Sequence, residues 1–231
     1  IHNLKKKNMS QLNQRLVYRN AVKSMINAGV DPRQAILSQS YLRLERNLST
    51  SITSYQFGVT INDTPAGTTV RSTENRLNLQ DSFFVGSISM FTSLTTNATD
   101  TNMVLDSYPN ATKYSTSGAA AALYNLYNGS FSLTVNNRVI TPSWNAYQHL
   151  YVPQTQNGTG VTAQTVFPID QFEGSTSASL AVEPNWVLIG SKNNNFTLNL
   201  PASVGTLQAS KTTTVVVILR GVLAQNSTIV S

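Results

Sequence analysis

In "SFSLTVNNRVI", residues 130–140, Phe131, Leu133 and Val135 recur at every second position, Asn136 and Asn137 follow, and Val139 resumes the pattern. A period of two puts the three apolar side chains on one face of a strand. Asparagine tolerates positive φ, which a two-residue hairpin turn demands at both central positions. The stretch therefore predicts two antiparallel strands joined at Asn136-Asn137. The same period appears in "SITSYQFGVTI" (51–61), where Tyr55, Phe57, Val59 and Ile61 share a side. Further strands are predicted in "SFFVGSISMFTSL" (82–94), "YQHLYV" (147–152), "NWVLIG" (185–190), "FTLNL" (196–200) and "TTTVVVILRGVLA" (212–224). One helix is expected among them, in "SGAAAALYNLYNG", where alanines and Leu123 favour helix and Gly129 stops it. Strands separated by loops rich in Asn, Gly and Thr, without regular helices between them, predict a mainly β fold, an antiparallel β-sandwich or jelly roll. No internal repeat points to a propeller or solenoid.

The first 49 residues read differently. Ser10 caps a predicted helix running to about Ala28, with Leu12, Leu16, Val22 and Ile26 near one face and Gly29 after its end. Asp31 and Pro32 then start a second predicted helix, with Ile36, Leu42 and Leu48 as a loose apolar stripe. The expected organisation is a basic helical arm over 1–49 and a β-domain over 50–231. Charge supports the division. Residues 1–46 hold nine Lys and Arg against Asp31 and Glu45, hence +7, whereas the remaining seven basic and eight acidic side chains leave −1. Three roles stay open for the arm: neutralising phosphates without reading sequence, docking across a neighbouring subunit, or forming a solvated helical face. The residues named for the first two are Lys5, Lys6, Lys7, Arg15, Arg19 and Lys23.

At 231 residues the chain is long enough to bury a sizeable core, and with no cysteine that core has neither disulfides nor thiolate sites. Val215 to Leu219 is the strongest apolar run, too short to span a bilayer, so a soluble protein is expected. The basic start followed by "NMSQLNQRLVYRN" lacks the apolar segment of a secretory signal. Because residue 1 is Ile, the numbering is expected to begin after missing or removed residues. The Asn-x-Ser/Thr triplets at Asn47, Asn62, Asn97, Asn110, Asn128, Asn157, Asn195 and Asn226 are expected from a composition rich in these residues rather than from glycosylation.

Motifs for catalysis are sparse. The chain holds no H-E-x-x-H, G-x-S-x-G, Walker A or S-x-x-K sequence, and only His2 and His149 offer imidazoles. His149, on a predicted strand beside aromatic residues, reads as a hydrogen-bonded structural histidine. A glycoside hydrolase needs two carboxylates in one cleft, to be drawn from Asp63, Glu74, Asp81, Asp100, Asp106, Asp170, Glu173 and Glu183, most in turn-like contexts. "NATDTNMVLD" lacks the glycine and terminal glutamate of an EF-hand loop, and "QNGTGV" lacks the flanking strand and helix of a nucleotide site. Trp144, Tyr147 and Tyr151, with Trp186, could form a sugar-stacking platform or pack in the core. The expectation is a non-enzymatic protein without cofactor or metal.

Four segments carry a resemblance to a family: "AGVDPRQAILSQSYLRLERNLS" leading into a strand, "STENRLNLQDSFFVGSISMF", "HLYVPQTQ" and the closing "VVVILRGVLAQNST". Together they resemble virion structural proteins of bacteriophages, in particular capsid-associated proteins of crAss-like or Bacteroidetes-infecting phages. The resemblance implies a capsid or head component without enzymatic activity, assembled in the host cytoplasm, whose partners are copies of itself and other head proteins, with genomic nucleic acid as a further partner of the arm. The alternative from another class is a carbohydrate-binding or adhesin-like sandwich on a fibre or cell surface.

Overall fold

The computed structural model describes residues 2–27, 30–59, 76–98, 100, 103–152 and 179–227, with the side chains of the first helix described from Arg15 onward. The element order is α1 (His2–Asn27), β1 (Ile36–Asn47), β2 (Ser54–Gly58), β3 (Ser82–Thr95), two short helices α2 (Ala119–Ala122) and α3 (Tyr124–Tyr127), β4 (Ser130–Val135), β5 (Arg138–Asn145), β6 (Leu180–Ile189), β7 (Asn194–Asn199) and β8 (Thr212–Gln225). The strands form two four-stranded antiparallel sheets, in the orders β1-β8-β3-β6 and β2-β7-β4-β5. The molecule is mainly β, a β-sandwich as expected. Four of its pairings are nested, β1 with β8, β2 with β7, β3 with β6 and β4 with β5.

The hairpin forms where predicted. Asn136 and Asn137 stand at φ 48° and 64°, the two left-handed residues of a type I′ turn. Phe131, Leu133 and Val135 all point into the main core. From the second sheet Tyr55, Phe57, Phe196 and Leu198 join them, and from the first come Leu42, Leu44, Phe83, Val85, Ile88, Met90, Val215, Val217 and Leu219.

Three expectations are corrected. The segment after Asp31 is not a second helix: its Asp-Pro start makes one turn, with Arg33 N–H donating to the Asp31 carboxylate at 2.9 Å, and the chain then enters β1. Leu42 and Leu44, two apart, are its inward side chains, and β1 pairs along its whole length with β8, from Ile36 opposite Gln225 to Asn47 opposite Thr214. Six-residue spacing from Ile36 to Leu42 to Leu48 fits an even strand period as well as a loose helical stripe, and the partner strand decided between them. The tract 147–152 is not a strand either, because Asn145 caps a 3-10 turn, Ala146–His149, by accepting from Tyr147 N–H. Helix α1 forms, but Leu16 and Ile26 are exposed and the face it buries is Val17, Ala21 and Met25. Its last turn closes with Val30 N–H on the Met25 carbonyl, five residues back.

In β3 a bulge inserts Gly86 between Val85, opposite Gly221, and Ser87, opposite Arg220. One extra residue reverses which side chains face inward, so Phe83 and Val85 before it, and Ile88 and Met90 after it, all reach the main core. The outward set, Phe84 and Phe91 with Val216, Ile218, Val222 and Ala224 of β8, is covered by a second layer. Ala21 and Met25 of α1 lie over Phe84, Val222 and Ala224, while Met103, Leu105 and Tyr151 lie over Phe91, Val216 and Ile218. Glycine is required twice here. A Cβ on Gly86 would stand 2.5 Å from a Val17 methyl, and one on Gly221 would stand 1.8 Å from the Phe84 carbonyl oxygen.

Candidate interaction surface

Helix α1 is fixed on the first sheet at the bulge. Val17 sits against the bare Gly86. The bulge leaves the Val85 carbonyl to accept from the Asn185 side chain at 2.9 Å, and Asn185 in turn accepts from Asn20 of the helix at 2.9 Å. An apolar contact and a two-step amide relay thus set the helix's position. With its buried face so fixed, the helix turns Arg15, Arg19 and Lys23 outward, and all three are exposed. Lys5, Lys6 and Lys7 belong to the same helix, but their side chains lie outside the described residues.

The aromatic residues weighed as a sugar platform separate. Trp144 turns inward, its ring 5.7 Å from that of Trp186 and its indole N–H donating to His149 Nε2 at 3.0 Å. His149 is fully buried against Phe131, which fits the structural role expected of it. Tyr151 packs over Phe91, Val216 and Ile218, leaving Tyr147 as the exposed member of the three, at 58%.

Five of the six described carboxylates, all but Glu183, serve local structure, Asp31 in the turn before β1. Asp81 accepts from Asn78 and from the Asn226 backbone, Asp100 accepts from Asn97, and Glu45 pairs with Arg43 at 2.6 Å. Buried Asp106 is held by Lys113 Nζ, 2.6 Å from both its oxygens. Burial pushes the Asp106 carboxyl up, and the neighbouring ammonium only partly offsets this. The same burial, with the negative charge of Asp106 nearby, raises the Tyr114 and Tyr127 phenols. Glu183 is exposed on β6, whereas Asp63, Glu74, Asp170 and Glu173 lie outside the described residues, as do "QNGTGV" and Asn62 and Asn157 among the sequons. Among the described residues no three His, Cys, Asp or Glu side chains gather as a metal site, and no helix is long and apolar enough to cross a membrane.

The pinning of the helix was not read from the sequence. Its one sequence signal is Gly86, which interrupts the apolar run of "SFFVGSISMF", as glycine does at a bulge or a close backbone approach. The chain matches no protein-family model, no curated protein and no solved structure.

Proposed function

We propose that the sandwich is a jelly roll and that the chain is a structural, non-enzymatic subunit of a viral capsid or head, assembling with copies of itself. The observation that carries this reading is the nested pairing of strand one with eight, two with seven, three with six and four with five. A chain folded back on itself as one long double strand and then rolled into two sheets gives that order, and the jelly roll is an architecture used by capsid and lectin domains. Charge distribution adds support: the helix presents positive charge beyond the first sheet, while the rest of the chain is nearly neutral. Edge strand β5 supports contact between copies, because its apolar Val139 and Ile140 are both exposed. The carbohydrate-binding alternative loses its platform with Trp144 and Tyr151 packed in different layers.

Light scattering and electron microscopy of the purified chain, at low and moderate salt, test the proposal. Closed symmetric particles or discrete oligomers are expected. A chain that stays monomeric at high concentration and ignores other shell proteins sinks it.

A further inference from the structure

We infer that the outward side of helix α1 binds single-stranded nucleic acid, with phosphates on Arg15, Arg19 and Lys23 and a base stacked on Tyr18. The inference deepens the shell-subunit reading, on which its meaning for packaging rests. Its first ground is geometry. Helical periodicity at 3.6 residues per turn sets Arg15, Arg19 and Lys23, spaced four apart, roughly opposite Val17, Ala21 and Met25, which the sheet holds. The three cations rise in steps of about 6 Å, and stacked nucleotides rise about 3.4 Å each along one strand, so each cation meets a separate phosphate. None of the three has an ion-pair partner among the described residues.

The second ground is preorganisation. Because Val17 seats on Gly86 and Asn20 on Asn185, the helix backbone that carries the stripe is held in place before any ligand arrives, and little backbone freedom remains to be lost on binding.

The third ground is the choice of partner. An acidic face on a second copy would also suit a basic stripe, but the described carboxylates do not supply one. Asp81 and Asp106 are buried, Glu45 is paired with Arg43, and Asp31, Asp100 and Glu183 lie on three separate segments. Phosphate supplies the negative charge instead. Tyr18, 49% exposed, stands three residues from Arg15 and beside Arg19. An aromatic ring interleaved with cations offers stacking to unpaired bases, which a duplex keeps inside its own stack.

The test uses the full chain and a labelled 20-nucleotide oligo(dT), followed by fluorescence anisotropy from about 50 to 300 mM salt, with heparin and a duplex as comparison polyanions and light scattering on the same samples. Changing Arg15, Arg19 and Lys23 together to Gln should weaken oligo(dT) binding tenfold or more and flatten the log–log salt slope by about 2, since each phosphate contact contributes about 0.7 on a single strand. Arg15→Lys with Arg19→Lys should stay within about threefold of the native chain. Tyr18→Ala should weaken oligo(dT) at least fivefold and leave heparin unchanged. Circular dichroism of each variant checks that α1 persists. No binding by the native chain, or an unchanged affinity and slope in the triple variant, overturns the inference. Tighter binding of duplex than of oligo(dT), or equal loss of heparin in Tyr18→Ala, overturns its single-strand part. Oligo(dT) binding by a chain that never oligomerises would sink the shell reading and leave this site standing; particles that ignore oligo(dT) would do the reverse.

Discussion

Strand β3 in the first sheet and strand β4 in the second run through the centres of sheets of equal size, yet twelve of the fourteen residues of β3 are buried, whereas buried and half-buried residues alternate strictly along β4. Strands β8 and β7 repeat the contrast. An antiparallel sheet with one solvated face shows alternation, and one covered on both faces shows a near-continuous apolar run. The difference teaches where the third layer lies: α1 and the side chains Met103, Leu105 and Tyr151 cover the first sheet from outside.

The severest way to break this arrangement is at its narrowest point. Gly221→Val places its Cβ on the Phe84 carbonyl, and because backbone cannot yield as a side chain does, the variant should show no cooperative thermal transition. A folded variant would mean that β3 and β8 are not so closely apposed.

Next, Phe84 under the helix and Phe131 in the main core are both fully buried, so Phe84→Ala and Phe131→Ala should each cost about 3–5 kcal/mol in urea unfolding. A cost below about 1 kcal/mol for Phe84→Ala would show that the outer layer is not part of the folded core.

Paired serines sharpen the contrast between faces. Ser89 of β3 is fully buried on the outward side, opposite Ile218, whereas Ser132 of β4 is half-buried on the outward side of the second sheet. Ser89→Glu should destabilise by about 3 kcal/mol or more, since a buried unpaired carboxylate is costly, and Ser132→Glu should stay within about 0.5 kcal/mol. Equal effects would erase the distinction.

A milder change should separate the layer from the sandwich. Gly86→Val pushes on Val17 and should loosen α1 for about 1–3 kcal/mol, with faster tryptic cleavage at Arg15, Arg19 and Lys23 while the strand signal is kept. Unchanged cleavage would place the helix's anchorage elsewhere.

The smallest effect concerns pH. Burial raises the Asp106 carboxyl above its ordinary 3.8, so the group contributes stability that is full below that value and lost as pH rises through the folded-state pKa. Asp106→Asn should therefore lose less stability than the native chain as pH rises above 3.8. A native chain that gains stability over that interval would show that the Lys113 pairing outweighs burial.

Much of the second sheet was legible because β2, β4 and β7 carry their own evidence. Alternation in "SFSLTV" and two asparagines that accept positive φ specify a strand and its turn from neighbours in sequence alone. The continuous apolar run of β8 predicted a strand but not the layers that cover both its faces. Strand β1 was misread since "AILSQSYLRLERNL" satisfies a helical and a strand period alike, and α1 was expected to bury Leu16 and Ile26 rather than Val17, Ala21 and Met25. For the proposed site, the sequence named Arg15, Arg19 and Lys23 but could not orient them.

The sequence by itself determined the elements whose signals are local: the Asn136-Asn137 hairpin, the inward faces of β2, β4 and β7, and the concentration of positive charge before residue 47. Only the tertiary structure decided that residues 36–47 are a strand, that Gly86 is a bulge, and that the helix lies on it with its cations turned outward. Those outcomes depend on groups far apart along the chain, such as β1 against β8 and Asn20 against Asn185, and a local period carries no information about a partner 165 residues away.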